Sequence, residues 1–501
     1  MLENILIGLA VCAKPINIAM IVGGLFGGMI FGALPGLSAT MAVAVLVPVT
    51  YWVPPESGLI MLGAIFSGAI YGGSIPAILL RIPGTPASVP TSIDGYAFTQ
   101  RGEGARALGL STFSSSVGGT LGGLSMLLFA PLLAMVSLYF GPPELMALAI
   151  FGLSVVSSLS PGALIKGLIA CVLGLLAATV GMDPVEGYPR MTFGMFELIG
   201  GFPLVPVLVG LFSIPPIIDM AQQGALKYVV PSVSGSTFVR LADIRRVLMT
   251  SLRSSVIGII VGIIPAAGPE IAAFVAYNDA RRTTRDTVPF GKGNLDALAA
   301  PEASHSACTG GSLIPLFTLG IPGSAPAAIF LGAMMIHGLR PGPMMFEDKP
   351  EIGYSVIVGF ILTNILLYFM GASLCRLMAQ AVRTPQNVLG PIVLVLTVVG
   401  AYAVGGTMVD VWVMWGAGLI GFLLQRYGYP LSPICLALIL GPVLEAELER
   451  TLVMFDGNMF QIITRPIALL LFALALLMFF GPLITQYIRE KRQERAAEAM
   501  Q

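Results

Sequence analysis

Charged side chains are scarce in this chain of 501 residues. Asp, Glu, Lys and Arg make up 10% of it, whereas they make up about a quarter of a typical soluble domain. Apolar residues make up 56%. A soluble protein of this length must cover a large surface with groups that water solvates, and this composition does not supply them. The scarcity of charge excludes an ordinary soluble protein and favours one whose surface faces lipid.

Cysteine and histidine are too few and too scattered for the sites that they commonly build. No two cysteines form a CxxC pair, which predicts neither a disulfide nor a metal site. The two histidines, His305 and His337, do not form the HExxH pattern of a zinc hydrolase. We therefore expect no cofactor and no resident metal site. The cysteines are Cys12, Cys171, Cys308, Cys375 and Cys435.

The sequence also lacks any block of like charge. Its 26 basic side chains balance 26 acidic ones and stand in short clusters between apolar stretches. A nucleic-acid-binding protein concentrates its basic residues instead, so no nucleic-acid partner is expected. The N-terminus, Met1 to Pro15, carries Glu3 and lacks the basic start of a signal peptide, so we expect it to be retained.

Long apolar runs fill most of the chain. A helix needs about 20 mostly apolar residues to cross a bilayer, and membrane helices tolerate the Gly and Pro that lie inside these runs. The sequence therefore predicts an all-α integral membrane protein with roughly 10 to 14 membrane segments. The clear candidates are 58–80, 107–136, 163–181, 196–218, 353–379, 407–424 and 465–487. Interrupted or short candidates are 16–53, 252–280, 311–338, 388–405 and 430–445.

The distribution of Lys and Arg predicts which connections are cytoplasmic. The connection 221–253 and the C-terminal tail are rich in basic residues, so both should lie in the cytoplasm. The connection 445–458 is acidic and should face outward. Basic residues at 281–292 closely follow segment 252–280, which favours a re-entrant hairpin there over a full crossing.

Three motifs occur twice, in one order and at nearly constant separation. Their recurrence indicates an internal repeat, and secondary transporters are commonly built from inverted repeats with broken helices near the midplane. The predicted division is a first repeat at 1–220, a cytoplasmic connection at 221–253, a second repeat at 254–460, and a C-terminal helix with a basic tail at 461–501. The pairs are GALPGLSAT from Gly32 with GIIPAAGPE from Gly262, GGSIP from Gly72 with GGSLIP from Gly310, and IPGTPAS from Ile82 with IPGSAPA from Ile321.

Pro35 and Pro265 interrupt apolar runs at the first motif of each half. A proline inside a helix frees a backbone carbonyl, which lipid cannot satisfy. The small residues that follow let a ligand approach the backbone. We expect the other two motifs to form hairpin tips, with helix N-termini that direct N–H donors at an anion. The predicted substrate-binding residues are Gly36, Ser38, Thr40, Gly73, Ser74, Thr85, Ala266, Gly268, Gly311, Ser312 and Ser324.

Ionisable residues inside apolar segments are candidates for holding a coupling cation, Na⁺ or H⁺. The predicted coupling-ion residues are Asp94, Glu270, Glu302 and His305. For Arg81, Asp279 and Asp410 the alternative is an interfacial residue or an ion pair that fixes packing. A structural role is as consistent with His305 alone, and serine hydroxyls in membrane helices commonly bond their own backbone. The GxxxG spacings from Gly23 and Gly118 predict close helix contacts.

Three longer stretches carry a family resemblance. They are YGGSIPAILLRIPGTPASVPTSIDGYAFTQRGEGARALG from Tyr71, FGKGNLDALAAPEASHSACTGG from Phe290, and LGIPGSAPAAIFLGAMMIHGLRPGPMMF from Leu319. Together with GALPGLSAT they resemble the large membrane subunit of the tripartite tricarboxylate transporters, over most of the chain. The chain departs from the family pattern at two places. Arg81 stands where Asn is common, and His305 and Ser306 stand where an Asn pair is usual.

The resemblance implies a secondary transporter of a bacterial inner membrane. Its partners would be a small four-helix membrane subunit and a periplasmic binding protein that delivers a small carboxylate. Uptake would be driven by a sodium or proton gradient, and a dimer of the large subunit stays open. An intramembrane enzyme is a weaker alternative, because the spans lack paired catalytic motifs. A passive anion channel is another, and only a symporter would concentrate its solute.

Overall fold

A computed structural model of the chain describes residues 2–481, apart from 138, 155, 157–162, 184–186, 224–232, 265–266, 285, 340, 343 and 348. Helices dominate these residues. The one sheet found among them is a two-stranded antiparallel ribbon of β1 (Gly181–Met182) and β2 (Pro189–Arg190). The predicted all-α class is therefore confirmed.

Helices follow one another along the chain with short connections. In chain order they are α1 (Leu2–Cys12), α2 (Pro15–Ala33), α3 (Ala39–Thr50), α4 (Pro55–Gly72), α5 (Ser74–Leu80), α6 (Val89–Gln100), α7 (Gly104–Ser137), α8 (Pro142–Ser154), α9 (Leu164–Ala178), α10 (Leu204–Gln223), α11 (Leu241–Ile263), α12 (Gly268–Thr283), α13 (Leu295–Leu319), α14 (Ala325–Ile336), α15 (Met344–Glu347), α16 (Pro350–Ala381), α17 (Gln386–Gly405), α18 (Met408–Arg426), α19 (Ser432–Met454) and α20 (Pro466–Gly481). Short 3₁₀ turns lie at Pro86–Ser88, Phe196–Leu198 and Met459–Thr464.

Eight helical stretches among the described residues are long and apolar enough to cross a membrane, and six further apolar helices are shorter. Several begin with a proline at the first helical position, where its missing N–H leaves no helical bond unmade: Pro15, Pro55 and Pro350. These lengths agree with a multi-pass membrane protein. The exact number of crossings stays a prediction.

The chain divides into two compact units. One comprises Met1–Ser137 and Val205–Phe422, and the other comprises Leu138–Leu204 and Leu423–Gln501. In the first unit the stretch Pro55–Leu80 and the helix α13 are buried almost throughout. In the second, Cys171 and Leu440 belong to a small apolar core between α9 and α19. The units do not coincide with the predicted repeats, whose boundaries stay a prediction.

Glycine lets two pairs of helices in the first unit approach closely and in parallel. On α2, a Cβ added to Gly24, Gly28 or Gly32 would collide with carbonyl oxygens of α4, at Met61, Ile65 and Ala69 in turn. The partner advances four residues each time, so α2 and α4 run in the same direction. α11 and α13 pack in the same way, with Gly258 against the Ser304 carbonyl and Gly262 against that of Cys308. The predicted GxxxG contacts are therefore present.

Two helices begin away from their predicted positions. α10 begins at Leu204 rather than 196, because the 3₁₀ turn at Phe196–Leu198 and the glycines after it do not continue a helix. α11 begins at Leu241, inside the stretch assigned to the connection 221–253. Its buried residues recur at helical spacing, from Val247 through Ser251 to Gly258. Of the basic residues that suggested a loop, Arg245, Arg246 and Arg253 lie on this amphipathic helix and Arg240 is its N-cap.

The segment after α11 reverses, as the hairpin interpretation expects. Arg253 of α11 pairs with Asp279 of α12 at 2.8 Å. Thr250 and Thr284, on opposite sides of the turn, both donate to the Asp296 carboxylate, at 2.6 and 2.7 Å. α12 therefore returns beside α11. Pro265, Ala266 and Arg285 lie outside the described residues, as do Lys227 and the tail beyond 481, and the sidedness of this hairpin stays a prediction.

Gly28→Ala should destabilise the first unit by about 1–3 kcal/mol, because the new methyl would press against the Ile65 carbonyl in a packed helix pair. Thermal unfolding of the purified protein in detergent measures the effect. Gly23→Ala is the matched control, since it lies on the same helix and its Cβ would meet nothing within 4 Å. Equal melting temperatures for the two variants would contradict the close approach of α2 and α4.

Candidate functional site

The second and third motifs form the same local structure in both halves. Each long helix ends with a residue in the left-handed conformation, Arg81 at φ 62° and Gly320 at φ 70°. The chain then turns back, and the N–H of Gly84 donates to the Gly73 carbonyl at 3.0 Å as that of Gly323 donates to the Ser312 carbonyl at 3.2 Å. Gly73, rather than Ser74, is therefore the structural counterpart of Ser312. The extra residue in GGSLIP shifts the register that the sequence motifs suggest.

The predicted hairpin tips require a correction in position. Gly72–Pro76 spans the junction between α4 and α5, and Gly310–Pro315 lies inside α13, so neither motif is itself a tip. The exposed helix N-termini come after the IPG motifs instead. They lie at Pro86, where the 3₁₀ turn leads into α6, and at Ala325, where α14 begins. Helical geometry continues through both GGS motifs because glycine beside long apolar runs does not by itself end a helix.

These N-termini lie well inside the ends of the long helices. Gly72 packs against the Met29 carbonyl near the end of α2, and Gly311 packs likewise against that of Ile259 near the end of α11. Beyond these contacts α5 and α13 continue for about two turns, or about 12 Å. The extended IPG segments run back over this distance. The helix N-termini at Pro86 and Ala325 are thus level with Gly72 and Gly311 on the long helices. The breaks after α2 and α11 lie at the same level.

Each half also contacts the other at its break. The 3₁₀ turn Pro86–Ser88 packs on α12, the helix that follows the second break. α14 packs on α3, the helix that follows the first break. A returning N-terminus of one half therefore lies beside the broken helix of the other. This is the arrangement expected of inverted repeats, although the inversion itself stays a prediction.

The predicted substrate residues fall around these ends. Gly36 is exposed in the first break at φ 94°, and Gly268 opens α12 at φ 70°. Ser38 caps α3 by accepting from the Met41 N–H at 3.1 Å, and Thr40 is half-buried in the first turn. Ala266 lies outside the described residues. Whether any of these groups contacts a substrate stays a prediction.

The tip of the second half is built mainly from buried small residues. Ser324 caps α14, and its hydroxyl donates to that of Ser312 at 3.4 Å. Ser312 also donates to the Thr309 carbonyl at 2.9 Å, so it bonds its own helix as the structural alternative expects. Gly311 lies one residue before it, against α11.

A buried carboxylate occupies the tip of the first half. Glu302 of α13 has no exposed surface. Its Oε1 accepts from Ser74 at 2.6 Å and from Thr91 at 2.5 Å, and its Oε2 accepts from Ser111 at 2.6 Å and Ser115 at 2.9 Å. An ionised carboxylate offers about four lone-pair positions, and four hydroxyl donors fill them. The site is therefore complementary to the charged form of Glu302.

Three helices of the first half supply these donors. Ser74 is the first residue of α5, Thr91 lies in the first turn of α6, and Ser111 and Ser115 are one turn apart on α7. Ser88 extends the hydrogen-bonded group, since its hydroxyl lies 3.3 Å from that of Ser74 and 3.1 Å from that of Thr85. The structure thus brings together Ser74, Thr85 and Glu302, which the sequence had assigned to separate roles.

His305 lies one turn after Glu302 on α13 and is fully buried beside it. Its Nε2 is 3.3 Å from Oε1 of Glu302, within ion-pair distance but outside hydrogen-bond geometry. Its Nδ1 is 3.2 Å from the Ser306 hydroxyl. Glu270 lies in the first turn of α12, next to the second break. Glu302 and His305, two of the four predicted coupling-ion residues, are therefore neighbours.

Asp94, one turn after Thr91 on α6, binds a different set of groups from those around Glu302. Its carboxylate accepts the backbone N–H groups of Gly291, Gly293 and Asn294 at 2.9 Å and the Tyr277 hydroxyl at 3.0 Å. This carboxylate fixes the loop that leads into α13.

The other charges singled out in apolar regions also have structural positions. Arg81 is exposed at the outer end of α5, Asp410 accepts from Thr407 at the start of α18, and Asp279 pairs with Arg253. These positions agree with the interfacial and ion-pairing alternatives.

Sequence reasoning did not single out four of the hydroxyls around Glu302. A signal was present in STFSSS at 111–116, a run of hydroxyls near the start of an otherwise apolar helix. Nothing in the sequence shows that this run faces Glu302, because the two are far apart in the chain. The missed residues are Ser88, Thr91, Ser111 and Ser115.

The second unit holds three carboxylates close together. Ligand atoms of Asp183, Glu445 and Glu449 lie within 4.8 Å of one another. Arg190 lies 3.1 Å from Asp183 and binds Glu445 through two nitrogens, at 2.6 and 3.0 Å. The hydrogen bonds and charge of Glu445 hold the pKa of Arg190 above its usual value. The Arg190 guanidinium thus neutralises part of the negative charge that a bound metal ion would otherwise neutralise.

Comparisons with known proteins agree with the resemblance. The family described as "Tripartite tricarboxylate transporter TctA family" matches residues 18–436. A protein of Agrobacterium vitis described as "Uncharacterized 52.8 kDa protein in TAR-I ttuC' 3'region" is 34% identical over 494 residues, which are 99% of this chain and 98% of the relative. An "Uncharacterized protein in TAR-II ttuC' 3'region" from the same organism is 30% identical over 237 residues, 47% of this chain and 98% of that relative. No solved structure matches the chain.

Asp94→Asn should loosen the loop before α13. The amide keeps one acceptor but turns N–H groups toward backbone N–H donors, and loss of charged hydrogen bonds costs about 1.5–3 kcal/mol. Thermal unfolding and hydrogen exchange at 291–294 measure this. Tyr277→Phe removes only the hydroxyl donor and should cost about 1 kcal/mol. Unchanged stability and exchange in Asp94→Asn, together with lost solute uptake, would instead support a coupling-ion role.

Proposed function

The chain belongs to the tripartite tricarboxylate transporter TctA family, and we propose that it carries a small carboxylate anion inward as the large membrane subunit of a symporter. Its membership makes it a membrane subunit of a tricarboxylate transporter. The symport, the coupling cation and delivery of the substrate by a binding protein belong to the proposal.

One observation carries the proposal for an anion. Each half has a helix N-terminus, at Pro86 or at Ala325, that lies beside a broken helix of the other half. Measured along the long buried helix of its own half, each N-terminus is about 12 Å back from the end of that helix. The helix dipole adds positive potential at such an end, where the first backbone N–H groups have no carbonyl partner within the helix. Pro86 and Pro326 carry no N–H, and the Ala327 N–H donates to the Ser324 hydroxyl, so fewer donors than usual face a ligand there. A carboxylate suits both the potential and the remaining donors, and a site at this depth can be opened to either face by movement of the surrounding helices.

The two ends are not equivalent. Glu302 already places a carboxylate at the first-half end, where Ser74 and Thr91 donate to it. The end at Ser324 holds no carboxylate in the contacts described above. The substrate anion is therefore expected nearer to the second-half end and the first break, where Gly36, Ser38, Thr40, Gly311, Ser312 and Ser324 lie.

Uptake of an anion into a cell needs a driving force. Moving one negative charge against an inside-negative potential costs about 2.3 kcal/mol per 100 mV. Co-transport of Na⁺ or H⁺ offsets this cost and couples uptake to an ion gradient. The buried pair of Glu302 and His305, with the half-buried Glu270 on α12, supports a cation site close to the transport path.

The proposed assembly follows the tripartite pattern of the family. A small four-helix membrane subunit and a periplasmic solute-binding protein complete it in the bacterial inner membrane, with the C-terminus of this chain in the cytoplasm. Alternating access would move the hairpin-bearing helices against a scaffold formed by the small subunit or by a dimer of the large subunit. The periplasmic protein would deliver the carboxylate to the outward-open state.

Ser312→Ala should lower carboxylate uptake by roughly tenfold if this hydroxyl contacts the anion, because one such hydrogen bond contributes about 1.4 kcal/mol. Ser312→Phe should abolish uptake by placing a bulky ring at the second-half end, and Ser74→Phe should abolish it by displacing a hydroxyl donor of Glu302. The measurement is uptake into proteoliposomes that contain the complete transporter and its binding protein.

The exposed Ser234 offers a control, and Ser234→Phe should transport normally. Size-exclusion profiles of all variants establish that insertion and folding are intact. Wild-type uptake by Ser312→Ala and by both phenylalanine variants would remove Ser312 and Ser74 from the site.

A further inference from the structure

The position of Glu302 can be compared with the equivalent position in the other half of the chain. The register that pairs Gly73 with Ser312 also pairs Ile65 with Ser304, whose carbonyls receive Gly28 and Gly258 respectively. The same register pairs Glu302 with Gly63 of α4. Gly63 faces the Phe360 ring, with 3.4 Å between its added Cβ and the nearest ring atom.

This comparison separates packing from function. The helix contacts that Glu302 makes in one half are made in the other by a residue without a side chain. Residues corresponding to Ser74 and Thr91 are Leu313 and Phe330, which carry no hydroxyl. The architecture therefore does not require a carboxylate here. Burying one is unfavourable unless it is fully bonded, and four separate donors are provided for it.

The hydrogen bonds of Glu302 decide whether Glu302 or His305 can take up a proton. Both carboxylate oxygens already accept two hydroxyl hydrogens each, so protonation of Glu302 would displace a donor. A cation bound among these oxygens would likewise have to separate hydroxyl and carboxylate oxygens that are 2.5–2.9 Å apart. The imidazole is different, because Nε2 of His305 has no hydrogen-bond partner among the described residues and lies 3.3 Å from a fixed negative charge.

We propose that His305 carries the coupling proton of this transporter, with Glu302 as its permanently ionised counter-charge. The inference rests on the proposed symport of a carboxylate and identifies its cation as H⁺. With His305 protonated the pair is neutral, and without the proton it leaves one negative charge in a buried site. A carboxylate that binds nearby adds further negative charge and therefore favours the protonated pair, which couples the two binding events.

Other ionisable groups on the helices around the pair do not replace it. Glu270 lies in the first turn of α12, and the Tyr71 hydroxyl of α4 lies 2.7 Å from that of Thr112. Cys308 lies one turn further along α13. Among the charges on the packed elements, Arg106 pairs with Asp243, Arg246 pairs with Asp286, and Arg253 pairs with Asp279. Asp296 accepts from Thr250 and Thr284, and Asp94 binds the 291–294 loop. Arg245, Arg281 and Arg282 are exposed, and Glu56 is half-buried at the start of α4.

The test uses the complete transporter with its binding protein in proteoliposomes that contain a trapped pH indicator. Labelled citrate, succinate and acetate serve as tri-, di- and monocarboxylate probes. Exchange of a probe across the membrane, without any ion gradient, first establishes which one is carried. Wild-type protein should then accumulate that probe in sodium-free buffer under an inward proton gradient, and addition of the probe should acidify the lumen.

His305→Gln and Glu302→Gln should separate these activities. Both should lower the probe-driven proton movement per molecule of probe carried by at least tenfold, so proton-coupled accumulation should fall much further than probe exchange without an ion gradient. Asp410→Asn is the control, because it neutralises a buried carboxylate in the first turn of α18, which accepts a hydrogen bond from Thr407, and it should change neither activity. If Glu302→Gln does not fold, His305→Gln and the wild-type proton measurement decide.

Two results would overturn the assignment while leaving carboxylate transport intact. One is accumulation by the wild type that requires sodium and ignores the proton gradient. The other is full probe-driven proton movement in His305→Gln. A wild type that exchanges none of the probes would instead overturn the proposed function, and with it this inference.

Discussion

A carboxylate that cannot reach water must obtain all its hydrogen bonds from the protein, and Glu302 does so. Four hydroxyls from α5, α6 and α7 converge on one side chain of α13, and their positions constrain all four helices. Ser74 must begin α5 where it does, and Ser111 and Ser115 must be one turn apart on the face of α7 that meets α13. The hydrogen bonds to Glu302 therefore hold the helix N-terminus at Pro86 and the helices around it in one arrangement.

Close helix packing makes this convergence possible. α7 and α13 approach at Gly118 and Gly122, where any side chain would collide with the carbonyls of Ala303, the residue after Glu302, and Ala307, two residues after His305. In lipid the attraction between helices comes from such close contact and from buried polar bonds, because apolar burial gives little preference for protein over lipid. The glycines bring the helix backbones close together, and the hydroxyls then form hydrogen bonds between the helices.

The two halves share a backbone arrangement but not a chemistry. Each has a returning N-terminus beside a break, at the same depth along its long helix. One end is filled by the carboxylate of Glu302, while the other has Ser312 and Ser324 and no charged side chain among its described contacts. A transporter that moves an anion together with a cation needs two kinds of site near each other, and a repeat that diverges in this way can provide them. Asp94 and Asp279, which looked equivalent to Glu302 in the sequence, hold loops and helix pairs instead.

Some of this follows from sequence alone. The membrane class, most span positions, the broken helices and the recurrence of three motifs depend on composition and order along the chain, which local physics translates directly into helices and breaks. Ser74, Glu302 and His305 were also singled out from the sequence, Glu302 because a buried charge in an apolar run is costly. Their roles in transport stay a prediction. The register was not predicted, since one inserted residue in GGSLIP makes Gly73 rather than Ser74 the partner of Ser312. Tertiary structure alone decided that Thr91, Ser111 and Ser115 serve Glu302 and that Asp94 serves a loop, because a hydrogen bond depends on which helix faces which, and sequence spacing carries no record of that.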